Sequence, residues 1–176
     1  YSYKVPKQWQ GRYSKLRVIG DKQGGLSTGI FGNDTRLVGK FRDYLGLPLR
    51  VIHVTRNPFD NIASIQLRLD RPLLNMYALY KGLVAEVAAI RDVLTADELF
   101  EFRQEDFIRD PRAVLTKLCS WLNLEAEEAY IDTSCAIVNP EPSRRRELIE
   151  WNSGVKGHVN RLIHEYSFLS GYSFDQ

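Results

Sequence analysis

The sequence predicts an α/β fold in which a mainly parallel sheet is flanked by helices. Two short runs, residues 49–55 and 99–103, have the length and the β-branched or alternating composition of strands. Each run is followed by apolar residues at helical spacing, and this alternation of strand and helix is typical of parallel sheets. With 176 residues, the chain is long enough for one domain with a substantial core.

The same patterns predict the other elements in chain order. Residues 1–15 are predicted to form a loop, residues 16–19 a first strand, and residues 20–25 a glycine-rich turn. Helices are predicted over residues 34–45, 57–70, 73–94, 111–122 and 155–166. Gly46 follows the first of these helices at the position where glycine commonly ends a helix. The pattern of residues 125–143 gives no clear assignment.

Composition excludes several classes of function. The chain is 44% hydrophobic and 26% charged, as in ordinary globular proteins. Its net charge of +2 leaves no excess of Lys and Arg for a dedicated nucleic-acid binder. Two cysteines, Cys119 and Cys135, do not suggest a disulfide framework and are expected to be reduced thiols. No apolar run looks long enough to span a bilayer and no signal peptide opens the chain, so we expect a cytoplasmic protein.

The most informative junction lies within residues 51–64. Its apolar run is followed by Arg56, and Asn57 with Pro58 makes a good N-cap and first turn of a helix. Arg56 therefore lies at the carboxyl edge of the sheet, where α/β proteins bind ligands, and Ser64 lies about two turns into the helix. A guanidinium beside the N–H groups of a helix N-terminus forms a phosphate or sulfate site. The alternative is a plain turn with a surface arginine.

This junction closely resembles the 3'-phosphate-binding motif of sulfotransferases. These enzymes use 3'-phosphoadenosine 5'-phosphosulfate (PAPS) as sulfuryl donor, and they release adenosine 3',5'-bisphosphate (PAP). The matching residues are 56–60 followed by Ser64. The resemblance implies that Arg56 and Ser64 both hold the 3'-phosphate. It also implies the three-layer, P-loop NTPase-like sulfotransferase fold.

The resemblance covers most of residues 12–176. Residues 17–22 resemble the strand and turn upstream of this motif in small bacterial-type sulfotransferases. Residues 105–107 resemble the strand end of the family, "Glu-Asp-hydrophobic", that precedes a helix capped by Asp-Pro, here residues 110–111. Residues 171–174 resemble the C-terminus of the same proteins.

One part of the family pattern has no counterpart in the sequence. The family binds the 5'-phosphosulfate with a loop of the type Pro-Lys/Arg-Ser-Gly-Thr-Thr after its first strand. Residues 20–27 have the outline of a phosphate loop, but Leu26 stands where the lysine belongs. We interpret these residues as the downstream turn of the family. We therefore expect a single sulfotransferase-like domain that lacks an N-terminal strand and the phosphosulfate loop.

The candidate catalytic residues are Asp21 and Lys22. Sulfuryl transfer needs in-line attack by an acceptor oxygen and stabilisation of charge on the leaving phosphate. A carboxylate at the end of a strand can accept the proton of an acceptor hydroxyl, and the neighbouring lysine can neutralise charge on the sulfuryl group. The alternatives are a turn-stabilising aspartate and a surface lysine. His53 is interpreted as a core or supporting histidine. No cluster of ligand residues suggests a metal, so no metal cofactor is expected.

A second basic segment follows Ser143. In the family, a late basic segment closes over the 3'-phosphate, and the resemblance implies this role for Arg144, Arg145 and Arg146. The alternative is a solvated charge run that flanks a helix. The aromatic residues of the N-terminal segment are candidates for an acceptor pocket or a cover of the core: Tyr1, Tyr3, Trp9 and Tyr13.

Two functions are compatible with these residues. The first is a sulfotransferase that acts on a hydroxyl or amine of a small-molecule or glycan acceptor. The second is a non-catalytic module of the same fold that binds PAP. The sulfotransferase is the leading interpretation, and the missing phosphosulfate loop supports the module only if the chain begins at Tyr1. The acceptor is not named by any residue pattern.

Overall fold

The computed structural model describes residues 18–22 and 24–175. Its elements are α1 (Gly24–Asn33), α2 (Arg36–Leu45), β1 (Val51–Thr55), α3 (Pro58–Leu69), α4 (Leu73–Arg91), β2 (Leu99–Arg103), α5 (Gln104–Arg109), α6 (Pro111–Trp121), α7 (Glu128–Ala136) and α8 (Ser153–Glu165). Short 3-10 helices cover Arg145–Leu148 and Ser167–Leu169. The predictions for residues 1–17, including the aromatic candidates for the acceptor pocket, lie outside the described residues.

The two strands pair in parallel, with Val51 opposite Leu99 and Thr55 opposite Arg103. Their carboxyl ends therefore meet at one edge of the sheet. Successive residues of a strand point to opposite faces. On one face, Phe100 packs against Trp121 of α6, with ring centroids 5.4 Å apart. On the other, Glu101 pairs with Arg91 at the end of α4, at 2.8 Å. Elements thus flank the sheet on both faces, and the predicted α/β fold is confirmed.

Helix α3 begins and ends where the sequence predicts. The Asn57 side chain accepts a hydrogen bond from the Phe59 N–H at 3.0 Å, and Pro58 occupies the first turn. The helix ends at Asp70, whose φ of 48° is left-handed and whose N–H donates to the Gln66 carbonyl. Because the caps themselves are local interactions, neighbouring residues are enough to predict these boundaries.

The main core lies between α3, α4 and α8. Phe59 and Ile62 of α3 are completely buried, and they pack with apolar side chains of the other two helices. Phe59 also makes edge contacts with Trp151 and Phe174, at centroid distances of 5.1 and 5.2 Å. The helix that follows Arg56 is therefore fixed by the best-packed part of the protein.

The predicted first strand and the glycine-rich turn are both wrong in the described residues. Val18 and Ile19 are not in a strand, and their side chains are exposed. Gly24 and Gly25 open α1 instead of closing a turn. Glycine has a low helix propensity, so tertiary packing of α1 on α4 must outweigh the local preference.

Two other predicted elements differ from the structure, and one unassigned segment forms a helix. Residues 104–109 form the short helix α5, so the "Glu-Asp-hydrophobic" residues lie in a helix and not at the end of a strand. Helix α7 occupies part of the segment that had no clear assignment. Helix α4 ends at Arg91, three residues before the predicted limit, and is followed by hydrogen-bonded turns.

Gly32 allows α1 to approach α4 closely. A Cβ atom at this position would lie 2.7 Å from the Glu86 Cα atom, which real contacts do not show. Gly32→Ala is therefore expected to lower the free energy of unfolding by about 1–3 kcal/mol, measured by urea denaturation. Gly39→Ala in α2 is the matched control, since nothing lies within 4 Å of its added Cβ. That substitution should stabilise α2 by up to about 1 kcal/mol, and equal effects at both glycines would contradict the packing argument.

Helix α4 is long and apolar enough to cross a membrane, judged by its length and composition alone. The prediction that the sequence contains no apolar run long enough to span a bilayer is therefore wrong for the 19 residues of α4. In the fold, α4 packs against α1, α3 and α8, and it contributes four buried residues to the core: Leu73, Met76, Tyr80 and Val84.

Candidate functional site

Arg56 lies directly after β1, at the carboxyl edge of the sheet. Its side chain is half-buried, and its Nη2 donates a hydrogen bond to the Ser143 carbonyl at 2.8 Å. Among the described residues, no carboxylate forms an ion pair with Arg56. A guanidinium whose partner is a neutral carbonyl keeps its charge available for an anion.

Glu105 of α5 supports the turn that carries Arg56. Its Oε1 accepts a hydrogen bond from the Asn57 N–H at 3.2 Å, and its Oε2 accepts one from the Tyr172 hydroxyl at 2.9 Å. Burial and the neighbouring Glu105 carboxylate raise the pKa of Tyr172, so this hydroxyl remains a donor at neutral pH. The Asn57 amide also donates to the Ser173 carbonyl at 2.8 Å. Three distant segments of the chain thus build one turn.

Asp60 and Arg146 form a buried ion pair beside the same turn. Both side chains are only 4% exposed, and Nη1 of Arg146 pairs with Oδ2 of Asp60. The Arg146 N–H donates to Oδ1 of Asp60 at 2.9 Å, and its Nε donates to the Phe174 carbonyl at 2.7 Å. The guanidinium of Arg146 is therefore engaged within the protein, in contrast to that of Arg56.

A cleft of about 590 Å³ lies along β1 and brings together Asp21, Lys22 and Arg56. Asp21 and Lys22 are exposed, and Oδ2 of Asp21 accepts a hydrogen bond from the Ser27 hydroxyl at 2.5 Å. The far wall of the cleft is α4, where Tyr80 accepts a hydrogen bond from Asn61 at 3.4 Å. Burial raises the pKa of Tyr80 to about 12, so this phenol stays protonated.

His53 also lines this cleft. Its Nδ1 lies 2.7 Å from Oε1 of Glu101, and Arg91 binds both oxygens of the same carboxylate at 2.8 Å. Burial raises the pKa of Glu101, but the hydrogen bonds from Arg91 and His53 together lower it by more than burial raises it. The pKa of Glu101 therefore lies below its usual range. The carboxylate fixes the orientation of the imidazole ring. This arrangement agrees with the interpretation of His53 as a supporting residue.

The other predicted site residues lie apart from this cleft. Arg144 and Arg146 line a second cleft of about 250 Å³, on the side of Asn57 and Glu105. Arg144 is exposed and pairs with Glu147 at 3.3 Å. Arg145 is exposed and Ser64 is half-buried, and neither lines either of these two clefts. The contact between Arg56 and Ser143 joins the two regions.

Within residues 18–22 and 24–175, no group of three or more His, Cys, Asp or Glu side chains is arranged to hold a metal ion. The expectation that the reaction needs no metal stays a prediction. Cys119 and Cys135 are both free thiols.

The fold defines an α/β protein with an arginine-bearing turn at the carboxyl edge of a parallel sheet. Residues 49–128 match the family described as "Sulfotransferase family". The matched residues contain both strands and the Arg56 turn. The resemblance to sulfotransferases is therefore confirmed.

Two solved structures share the fold. The sulfotransferase domain from the Synechococcus PCC 7002 olefin synthase gives a TM-score of 0.57 at 21% identity, covering 78% of this chain and 56% of that chain. The sulfotransferase domain from the curacin biosynthetic pathway gives a TM-score of 0.53 at 15% identity, covering 66% of this chain and 52% of that chain. The protein thus spans about half the length of the solved domains that it matches. No curated protein matches it at a significant level.

Sequence reasoning missed three residues that build the site. Glu105 accepts a hydrogen bond from the turn that carries Arg56, Tyr172 donates to Glu105, and Asp60 binds Arg146 beside the same turn. Their partners are distant in the chain, so no local pattern identifies them. The one available signal in the sequence is that Asp60 and Glu105 are acidic residues shortly after the carboxyl ends of β1 and β2.

Proposed function

We propose that the protein is a sulfotransferase that uses PAPS as donor and a hydroxyl or amine of a small molecule or glycan as acceptor. The observation that carries the proposal is Arg56, a guanidinium at the carboxyl edge of the sheet whose described partner is the neutral Ser143 carbonyl. A 3'-phosphate can replace that carbonyl and gain a charge-assisted bond.

The residues present fit the phosphate of a nucleotide. Arg56 would bind the 3'-phosphate, and Arg144 and Arg145 would bring further positive charge from an exposed segment. Ser64 lines neither of the two clefts, so its hydroxyl contact with the phosphate stays a prediction from the resemblance. Arg146 belongs to this segment, but its own guanidinium is engaged with Asp60. When bound, PAPS supplies the sulfuryl group and a phosphate that serves as leaving group.

Asp21 and Lys22 carry the proposed chemistry on the protein side. Both line the cleft that contains Arg56, so an acceptor held in this cleft would meet them. Asp21 would take the proton of the acceptor hydroxyl, and Lys22 would neutralise charge on the transferring group.

A nucleotide-binding module without transfer is the second candidate. It is favoured by Leu26, an exposed apolar side chain in the first turn of α1, because a phosphate loop needs a lysine at this position. A transfer assay separates the two candidates. Incorporation of label from PAPS labelled in its sulfuryl group into hydroxyl or amine acceptors supports the enzyme, whereas PAP binding without incorporation supports the module.

The 3'-phosphate site is tested by titration calorimetry. We expect PAP to bind about 10- to 100-fold more tightly than adenosine 5'-monophosphate (AMP), because one hydrogen bond to a charged group contributes roughly 1.5–3 kcal/mol. Adenosine 2',5'-bisphosphate is the matched control, since it has the same charge with the phosphate on the neighbouring ribose carbon. Equal affinities for the two bisphosphates would show a non-specific anion effect and would contradict the proposed site.

A further inference from the structure

The buried pair of Asp60 and Arg146 joins three segments of the chain. Asp60 belongs to the first turn of α3, and Arg146 belongs to the 3-10 helix Arg145–Leu148. Arg146 reaches the C-terminal segment through the Phe174 carbonyl, and its own carbonyl accepts a hydrogen bond from the Trp151 indole at 2.9 Å. Backbone and side chain of Arg146 are therefore both fixed, which is more than charge neutralisation requires.

The Ser143–Arg146 segment is attached at two points to the junction between β1 and α3. At one end, the Ser143 carbonyl accepts the hydrogen bond from Arg56 at 2.8 Å. At the other end, the Arg146 N–H donates to Asp60 at 2.9 Å. Arg144 and Arg145 lie between these two attachments, with their side chains exposed. A short segment held at both ends has few conformations, so the backbone that carries these exposed arginines stays close to the turn of Arg56.

The two attachments differ in strength. The bond from Arg56 to Ser143 is a single contact of a half-buried side chain with a neutral acceptor. The contacts of Arg146 with Asp60 are buried, double and charge-assisted. A phosphate that takes Arg56 would release the first attachment, and the second would still hold the segment in place.

We infer that Asp60 and Arg146 are positioning residues of the donor site: their buried pair holds the Ser143–Arg145 segment so that Arg56 and Arg144 act on the 3'-phosphate together. This inference rests on the proposed function. Neither residue of the pair touches the nucleotide in this arrangement. Their contribution is to reduce the conformational entropy that the segment loses when the phosphate binds.

Because Asp60 is negatively charged, the direction in which Asp60→Asn changes the affinity for PAP tests the inference. A carboxylate near a phosphate site repels the ligand, so simple electrostatics predicts that Asp60→Asn tightens PAP binding. Positioning predicts the opposite. Asparagine keeps an oxygen for the Arg146 N–H, but it removes the charge that holds the guanidinium, so the segment loosens and PAP binds more weakly.

The experiment compares the affinities of PAP and AMP for the wild type, Asp60→Asn and Asp70→Asn. We expect Asp60→Asn to reduce the preference for PAP about 3- to 10-fold, with AMP affinity unchanged, because immobilising an arginine side chain costs this much in binding. Asp70→Asn removes a carboxylate from the other end of α3, where asparagine tolerates the left-handed backbone, and it should leave the preference unchanged. An unchanged or increased preference in Asp60→Asn would overturn the inference.

Two further measurements keep the result decisive. Trypsin should cut after Arg144 or Arg145 faster in Asp60→Asn than in the wild type, in the absence of nucleotide. If Asp60→Asn does not fold, Arg146→Lys keeps the charge and loses the guanidinium contacts, and its preference for PAP must fall in the same way.

A wild type that binds PAP and AMP equally refutes the proposed function and this inference with it. A wild type that prefers PAP beside an Asp60→Asn variant with the same preference refutes the inference alone.

Discussion

Arg146→Met is expected to lower the free energy of unfolding by about 3–5 kcal/mol, because breaking one partner of a buried ion pair leaves the other charge without compensation. Asp60 is 4% exposed, and without the guanidinium of Arg146 its carboxylate would keep one donor among the described residues, the main-chain N–H of residue 146. The Arg146 Nε bond to the Phe174 carbonyl would also be lost. Urea unfolding, followed by the fluorescence of the tryptophans, measures the change.

Two variants control this result. Arg145→Met removes a neighbouring arginine that is exposed, and it should change stability by less than about 0.5 kcal/mol. Asp60→Asn combined with Arg146→Met removes both charges while keeping an acceptor for the main-chain N–H. The double variant should recover part of the stability that the single variant loses, since no buried charge remains. A double variant that is less stable than the single one would show that the charge of Asp60 is not the cause.

Arg56→Ala should abolish most of the preference for PAP over AMP. We expect a selective loss of about 1.5–3 kcal/mol in PAP affinity, while AMP, which has no 3'-phosphate, loses little. Because the side chain lies at the surface end of β1 and forms no ion pair among the described residues, the fold should tolerate its removal. Titration calorimetry with both nucleotides gives the two affinities directly.

Two arginine variants sharpen the interpretation. Arg56→Lys keeps the positive charge but loses the planar pair of donors, so it should recover only part of the preference. Arg68→Ala removes an exposed arginine near the other end of α3 and should have no selective effect. A loss of equal size for PAP and AMP in Arg56→Ala would remove this residue from the 3'-phosphate site.

The parts of the fold that local interactions determine could be predicted from the sequence. The N-cap at Asn57, the left-handed end of α2 at Gly46 and the strand character of Val51–Thr55 all depend on adjacent residues, and all agree with the structure. The position of Arg56 at the carboxyl edge of the sheet follows from these local signals together with the alternation of strand and helix.

The parts that tertiary contacts determine could not be predicted in this way. Helix α1 begins with two glycines, and its packing on α4 outweighs a local preference for a turn. Arg146 resembles Arg144 and Arg145 in the sequence, and only its pairing with Asp60, 86 residues away, separates its environment from theirs. A run of three arginines carries no pattern that distinguishes a buried member from exposed ones.

The contacts that complete the Arg56 turn also have a consequence for the biosynthesis of the protein. Asn57 is joined to Ser173 across 116 residues, and Arg56 is joined to Ser143 across 87. Contacts so far apart in the chain form late, because a large loop must close before they can stabilise the structure. A nascent chain that has emerged only as far as residue 140 would already contain Arg56, Asn57 and Asp60, but none of the residues that fix them from the later part of the chain. During translation, ligand-binding competence should therefore appear only when the segments around residues 146 and 174 have left the ribosome.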